Sequence, residues 1–401
     1  MRLQAELRRD KALYPRIDPP CPYVGACGGC NLQDLAYDDQ LRLKRDRLRR
    51  AFAGMPDLPP LDVIGLDEPW RYRNKAEFTF SCADGRLTLG YHAAGSFSRI
   101  VDLDDCLLLP AVVGRVLKDV RGFAAATGLP AYEPRTHQGF FRYLVVRVSQ
   151  ATGTLLLCLI TAPGTRDAVD GIAQRIMALH PEICGVYWGV TGRKADAALP
   201  EALTLLGGSP YLEEQVGPFR LTVHPLSFLQ PTSVQADRMY RRLSEPLEAS
   251  PVGIAWDLYC GIGVAGFYLS RGAGRVYGID VVPLHVELAR RNAERNGIAN
   301  IEFRVGPVEE VLLDRRFWLT EAKPDLIVVD PPRAGLHPQA LSSVLAARPR
   351  QVAYLSCNVQ SLLRDLRQLT SGFPRYRLTQ LAAFDLFPQT HHVEVLAWLQ
   401  R

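Results

Sequence analysis

The sequence predicts an α/β fold, with a Rossmann-like doubly wound parallel sheet in the C-terminal part and a mixed α+β domain before it. Three observations carry this expectation. After about residue 230, apolar strand-length runs alternate with amphipathic helical stretches, the pattern that builds a parallel sheet covered on both faces. Between about 70 and 225, short β-branched and aromatic runs are separated by Gly, Asp or Pro turns, with two helical stretches among them. A chain of 401 residues with 47% hydrophobic content can bury two or three cores. The expected division is 1–70, 71–228 and 229–401.

The first segment opens on a charged tail and the loop CPYVGACGGC (21–30), which puts Cys21, Cys27 and Cys30 within ten residues. Nine cysteines, clustered and then scattered, resemble a metal ligand set plus core thiols more than a disulfide framework. The first twenty residues are too charged for a signal peptide, and runs such as YLVVRV and GTLLLCLIT are strand-length. A cytoplasmic protein that does not enter membranes is expected. The stretch LRLKRDRLRR (41–50) carries Arg42, Lys44, Arg45, Arg47, Arg49 and Arg50 on a helix with Leu41, Leu48 and Phe52 as its apolar stripe. With a net charge of +5 and a pI near 8.7, it reads equally as phosphate contact or as a solvated helix face. The proline-marked break MPDLPPL (55–61) follows.

In the second region AEFTFSC (76–82), RLTLGYH (86–92), YLVVRVS (143–149), TLLLCLIT (154–161) and FRLTVHP (219–225) read as strands. AVVGRVLKDVRGFAAATG (111–128) and RDAVDGIAQRIMALH (166–180) read as helices, and Cys82, Cys158 and Cys184 as core thiols. In the third, GIAWDLY (253–259), RVYGID (275–280), IEFRV (301–305), DLIVVD (325–330), QVAYLSC (351–357) and VEVLAWL (393–399) are the strands. The clearest helix is PLHVELARRNAERNG (283–297), with Gly297 as its C-terminal cap.

Chemistry gathers at the ends of these last strands. WDLYCGIGVAGFYLS (256–270) runs a strand into a glycine-rich turn and a helix, and Gly261, Gly263 and Gly266 fit GxGxxG. That match alone also suits a dinucleotide. Asp257, just before the glycines, would face a pyrophosphate badly but can accept a hydrogen bond from an amino acid's ammonium. Asp280 ends the following strand and suits two ribose hydroxyls. Together the two acids favour S-adenosylmethionine. In VVDPPRAGL (328–336) the prolines stiffen a turn that aims Asp330 into the cleft, and Arg333 stands where amine-methylating enzymes carry an aromatic.

Cys357, between Ser356 and Asn358 in YLSCNVQSL (354–362), is a nucleophile candidate; a buried core thiol is the ordinary alternative. A methyltransferase needs a thiol when its acceptor is carbon 5 of uracil. Thiolate addition to carbon 6 makes carbon 5 nucleophilic, and a base must then remove the carbon 5 proton so that the thiol can leave. Glu394, in DLFPQTHHVEVLAWL (385–399), is the candidate base.

These residues together resemble the RNA uracil-C5 methyltransferase family over most of the chain. SCN (356–358), DPPR (330–333), FPxTxHVE (387–394), DLYCGIG (257–263), SFLQ (227–230) and YRNKAEF (72–78) are its motifs. The resemblance implies a class I S-adenosylmethionine methyltransferase fold, with Cys357 as nucleophile and Glu394 as proton acceptor. It also implies that Gln230, Tyr259, Asp280 and Asp330 line the pocket for S-adenosylmethionine and uracil. Val264, Thr232, Pro307 and Val359 depart from the usual pattern.

In the branch acting on 23S ribosomal RNA, a C-x5-C-x2-C loop and one distant cysteine hold a 4Fe-4S cluster. Cys21, Cys27 and Cys30 match the loop and Cys106 the distant ligand. Three thiolates from one loop and a fourth from elsewhere can surround a cubane, and zinc is the alternative occupant. The N-terminal TRAM barrel of many relatives has no counterpart before Cys21. The expectation is therefore a monomeric 23S ribosomal RNA methyltransferase. The alternatives are a transfer RNA enzyme, an RNA cytosine-C5 methyltransferase, disfavoured because residues 328–336 contain no second cysteine, and a non-catalytic RNA-binding assembly factor.

Overall fold

The computed structural model describes residues 2–55, 57–314 and 316–401, so Pro56 of the proline-marked break lies outside the described residues. Eight strands form the C-terminal sheet, in the order Val63–Ile64, Arg377–Phe384, Glu394–Gln400, Gln351–Ser356, Leu326–Val329, Val252–Leu258, Ala273–Asp280 and Ile301–Val305. Among the described residues only Glu394–Gln400 runs antiparallel to its neighbours. This is the Rossmann-like doubly wound sheet that the sequence predicts.

Alternation along each strand feeds two cores. Trp256, Leu258, Ile327, Val329 and Tyr354 face one layer, while Ala255, Val328, Ala353 and Leu355 face the other. Chain order reverses between Val252–Leu258 and Leu326–Val329, which opens a crevice beyond their carboxyl ends. The helix Pro283–Arg295 ends as expected. Gly297, at φ 66°, donates to the Glu294 carbonyl at 3.0 Å, and Ile298 donates to that of Ala293 at 2.9 Å.

The middle of the chain forms a seven-stranded sheet in the order Ile100–Asp102, Arg86–His92, Lys75–Ala83, Phe141–Val148, Leu155–Thr161, Ile183–Val190 and Ala202–Gly208. Helices Ala111–Ala125 and Arg166–Leu179 cover one face. The opposite face, with Tyr143, Val145, Leu156 and Cys158, joins the core of the C-terminal sheet. Cys158 is a core thiol as expected, whereas Cys184 is half-buried and Cys82, near the hairpin end of its strand, is exposed.

The N-terminal tail is ordered as helix Arg2–Lys11. Leu7 buries itself against Leu32, Leu35 and Leu43, and Asp10 accepts from Arg47 at 2.9 Å and Arg50 at 2.6 Å. Helix Tyr37–Phe52 buries Gln40, Leu43, Lys44, Leu48 and Phe52, so Leu43 rather than Leu41 completes its inner face. Among the described residues no helix is long and apolar enough to cross a membrane.

Candidate active site

Cys357 follows the strand Gln351–Ser356, and Glu394 opens the antiparallel strand beside it. Ser356 pairs with Val395, so one step further along the same register Cys357 stands across from Glu394. Helix Val359–Ser371 starts immediately after. Asn358 caps it, accepting from the Gln360 amide at 3.0 Å, and donates to the Arg333 carbonyl at 2.7 Å. One side chain thereby fixes the thiol's loop against the Asp-Pro-Pro-Arg turn. The helix N-terminus at this point favours negative charge on sulfur.

Electrostatics around the thiol oppose one another. Burial raises the Cys357 pKa and the Glu394 and Asp330 carboxyls add to the rise, while Arg333, hydrogen-bonded to the thiol, lowers it. Glu394, 3% exposed, is pushed well above the usual carboxylate range by burial and then by Asp330, against the pull of Arg333. Burial raises Asp330 to about 7. Arg333 is thus the one cation that acts on both Cys357 and Glu394. Arg333 stands in DPPR, but the spacing of that motif does not show that its side chain reaches Cys357 and Glu394.

A cleft of about 1140 Å³ opens onto Cys357 and is lined also by Arg333, Asn358, Arg47, His391 and His392. The two histidine rings lie 4.2 Å apart. Burial, with help from nearby cations, lowers both to about 4, so they are neutral near pH 7.

Gln230, Tyr259 and Asp330 meet, with Asp257 and Tyr240, around a second pocket behind the cleft. Asn74 of the YRNK motif holds this wall, donating through its side chain to the Gln230 carbonyl at 2.7 Å and through its amide to that of Pro231 at 2.9 Å. Tyr259 is held at φ 66°, a costly conformation for a bulky residue and one that concentrates at functional sites. Gly263, at φ 91°, sits where an added Cβ would meet Phe267 and Phe303 at 2.9 Å.

Asp257 is fully buried, and neither of its oxygens has a hydrogen-bond partner among the described residues. Burial and the neighbouring Asp330 raise it to about 7, although the nearby Gly266 amide favours its charged form. A buried carboxyl without a partner fits the ammonium of S-adenosylmethionine. Asp280 does not line this pocket. Its carboxylate accepts from the Gly261 and Val282 amides, each at 2.9 Å, and meets His285 Nδ1 at 3.1 Å, so it braces the glycine turn at the strand end. Phe228, 56% exposed, stands at the edge of this pocket.

Cys21, Cys27, Cys30 and Cys106 all line one cavity of about 450 Å³, with Arg73, Tyr91, Gln33 and Asp105. Among the described residues no group of three or more His, Cys, Asp or Glu is placed to hold a metal ion. The four thiols instead surround a space much larger than one ion. Burial raises Cys27, takes Cys30 to about 12 and Cys106 to about 11, and the thiols raise one another. Gly28 has to be glycine, because a Cβ there would lie 2.9 Å from the His92 carbonyl that accepts its amide at 2.9 Å. The donor set, soft sulfur beside the half-buried Arg73, fits an anionic thiolate-bound cluster.

The basic helix is mostly spoken for. Lys44 is buried against Asp385, Arg47 and Arg50 share Asp10, Arg42 pairs with Asp39 and Arg45 with Asp62. Arg71 pairs with Asp105 and Lys75 with Glu77. Arg49 alone of the six has no ion-pair partner among the described residues and is exposed. These ion pairs give the helix folding contacts, while Arg42 and Arg50 keep more than half of their side-chain surface exposed.

Residues 218–401 match the family described as tRNA (Uracil-5-)-methyltransferase. An uncharacterized RNA methyltransferase of Enterococcus faecalis is 34% identical over 397 residues, 98% of this chain and 86% of that protein. Another, from Halalkalibacterium halodurans, is 32% identical over 96% of this chain and 84% of its own length. The crystal structure of Pyrococcus abyssi tRNA (uracil-54, C5)-methyltransferase in complex with S-adenosyl-L-homocysteine superposes with a TM-score of 0.74 at 28% identity, covering 92% of this chain and 85% of that one. With relatives this similar over nearly its whole length, the chain belongs to the RNA uracil-C5 methyltransferase family.

Proposed function

We propose that this S-adenosylmethionine-dependent RNA methyltransferase modifies carbon 5 of a uridine in 23S ribosomal RNA, with Cys357 as nucleophile and Glu394 as proton acceptor. The observation that carries the chemistry is the register that sets Cys357 across from Glu394, with Arg333 on both. The Cys357 thiolate adds to carbon 6 of the uracil, and the electrons of the 5,6 double bond move toward carbon 5 and the carbonyl at position 4. S-adenosylmethionine, when bound, supplies the electrophilic methyl that carbon 5 takes up, leaving as S-adenosylhomocysteine. Glu394 then removes the carbon 5 proton, the 5,6 double bond re-forms, and the carbon–sulfur pair returns to Cys357 as thiolate. Arg333 favours the thiolate that starts the sequence. Gln230, Tyr259, Asp330 and Asp257 would hold the cofactor and base, with Asp280 toward the ribose.

In this reading residues 229–401 carry the reaction, 71–228 face RNA and supply Cys106, and 1–70 bring the other cluster ligands. Cys21, Cys27, Cys30 and Cys106 would hold a 4Fe-4S cluster, whose iron binds four thiolates. Their convergence on one cavity supports the ribosomal branch. The Pyrococcus relative, which acts on uracil-54 of tRNA, favours transfer RNA as the second reading.

Two experiments test this. With labelled S-adenosylmethionine and substrate RNA, Glu394→Gln is expected to stall as a methylated protein–RNA adduct that survives a denaturing gel, and Cys357→Ala to give neither adduct nor methylation. Free methylated RNA from Glu394→Gln at the parent rate assigns the proton to another base. Mass spectrometry of 23S ribosomal and transfer RNA from a deletion strain decides the substrate. Loss of one 5-methyluridine from 23S RNA supports the proposal, and loss from transfer RNA alone overturns its substrate.

A further inference from the structure

Asn31 follows the cavity thiol Cys30 directly and grips the loop that leads to Glu394. The His391 amide donates to Asn31 Oδ1 at 2.9 Å, and Asn31 Nδ2 lies 2.7 Å from His391 Nδ1. A backbone amide can only donate, which fixes the orientation of the Asn31 side chain. Its Nδ2 is then the donor, His391 Nδ1 must accept, and the ring proton sits on Nε2.

The rest of the loop is held from the same side. The amides of Asn31 and Leu32 both donate to the Gln389 carbonyl at 3.0 Å. Gln40 adds two bonds to Gln389, at 2.9 and 3.0 Å, and Tyr72 donates to the Pro388 carbonyl at 3.1 Å. Gln389 is 1% exposed and held at φ 69°, a conformation that needs such support. Residues 388–391 are thus shaped by the segment after the cysteine loop. His391 lines the cleft that Cys357 lines, and Cys30 lines the thiol cavity.

We propose that Asn31 is a positioning residue for proton removal, tying the loop that carries Cys30 to the loop that delivers Glu394 and fixing His391 as its Nε2–H tautomer. The proposal rests on the roles of Cys357 and Glu394 given above. It gives the thiol cavity a mechanical part in the reaction, because movement of the cysteine loop carries Asn31 with it and withdraws support from Gln389 and His391. Addition and methyl transfer involve Cys357 on another strand, so the loss falls on the last step.

The test uses the full-length protein as isolated, with its metal content matched between variants. Asn31→Ala is expected to slow release of the covalent intermediate about tenfold or more, the scale on which small misplacements act on rate. KM for RNA should stay within about twofold, since substrate binding is not what the clamp serves. Methylated adduct should then build up on denaturing gels, as with Glu394→Gln. Nitrogen-15 spectra of the histidine rings should show the Nε2–H form of His391 in the parent, and the Nδ1–H form in Asn31→Asp, whose carboxylate can only accept. Should Asn31→Ala fail to fold, His391→Phe removes the other half of the pair and is expected to slow release in the same way. Release at the parent rate from these variants while Glu394→Gln traps adduct, or an Nδ1–H ring in the parent, overturns the role of Asn31 alone. Free product from Glu394→Gln at the parent rate overturns the assignment of Glu394 and this proposal with it.

Discussion

Lys44 Nζ lies 2.7 Å from Asp385 Oδ1, with neither side chain exposed. The pair joins the basic helix near the N-terminus to the start of the loop that ends in Glu394. The Phe387 amide, at 3.1 Å, and the Tyr37 hydroxyl, at 3.2 Å, complete the coordination of the carboxylate. Burial pushes the lysine down and the carboxyl up, so each charge depends on the other.

Removing one partner should therefore be costly. Lys44→Met strands a buried carboxylate and is expected to destabilise the protein by about 3–5 kcal/mol. Lys44→Met with Asp385→Asn should recover much of that loss, because no unpaired charge remains. Denaturant unfolding measures both. RNA affinity of the folded Lys44→Met protein should keep the parent's salt dependence, since a lysine with no exposed surface neutralises no phosphate. A flatter slope would return Lys44 to the RNA surface.

Arg333 sets the pH at which the site can start. Cys357 must lose its proton and Glu394 must be ionised, and both are raised by burial and held down by this one cation. In Arg333→Ala the pull disappears and both pKa values rise. The acid limb of the rate profile should move up by about one to two pH units, the usual effect of an adjacent opposite charge. Because the thiol is already raised above its ordinary 9.0, the deficit is expected to be uniform through neutrality and to shrink only at more alkaline pH. A drop that does not shrink in alkaline solution would mean that Arg333 holds substrate rather than charge.

The juxtaposition of Cys357 and Glu394 was legible because the proposed chemistry demands particular residues in a particular order. SCN ends one strand, HVE begins another, and a sheet brings strand ends together. The cofactor turn was legible through Asp257 and the glycines. Asp280 was placed at the right strand end, but its bracing of Gly261 depends on a turn geometry that spacing does not reveal. The partners of the basic helix were not legible because charge complementarity is set in three dimensions: Arg47 meets Asp10 from 37 residues away and Lys44 meets Asp385 from 341. The same distance hid the N-terminal helix, whose stability comes from those arginines and from Leu32, Leu35 and Leu43 rather than from its own sequence.

Metal content tests the four-thiol cavity. Anaerobic purification is expected to give a brown, oxygen-sensitive protein with about four irons, as cubane sites held by four thiolates contain. Cys106→Ala should lose most of that iron, whereas Cys82→Ala, an exposed residue outside the cavity, should keep it. Stoichiometric zinc without iron would replace the cluster by the simpler metal. Full iron in Cys106→Ala would remove that residue from the ligand set.

Asp257 links cofactor binding to pH and to stability. Its carboxyl is raised from the ordinary 3.8 to about 7 by burial and by Asp330. Only the ionised form pairs its charge with the cofactor's ammonium, so affinity should rise with pH up to about 7 and then level off. Below that value each pH unit should cost about tenfold in affinity. Binding a cation lowers the carboxyl's pKa, so the complex releases protons near pH 6.5–7, which calorimetry in two buffers of different ionisation enthalpy detects. The sign reverses for the free protein. A raised folded-state pKa means that the native state binds the proton more tightly than the unfolded chain, so this contribution is complete below pH 3.8 and is lost as pH rises to about 7. Cofactor should therefore raise the melting temperature most above pH 7, where the buried charge otherwise has no partner. Asp257→Asn keeps the shape and removes the charge. It should weaken cofactor binding at pH 8 by roughly 10- to 100-fold, the scale of a hydrogen bond to a charged group. It should also abolish the proton release and leave the free protein more stable than the parent at that pH. Unchanged proton release in Asp257→Asn would shift the role to Asp330, the other carboxyl raised to about 7 in the same pocket.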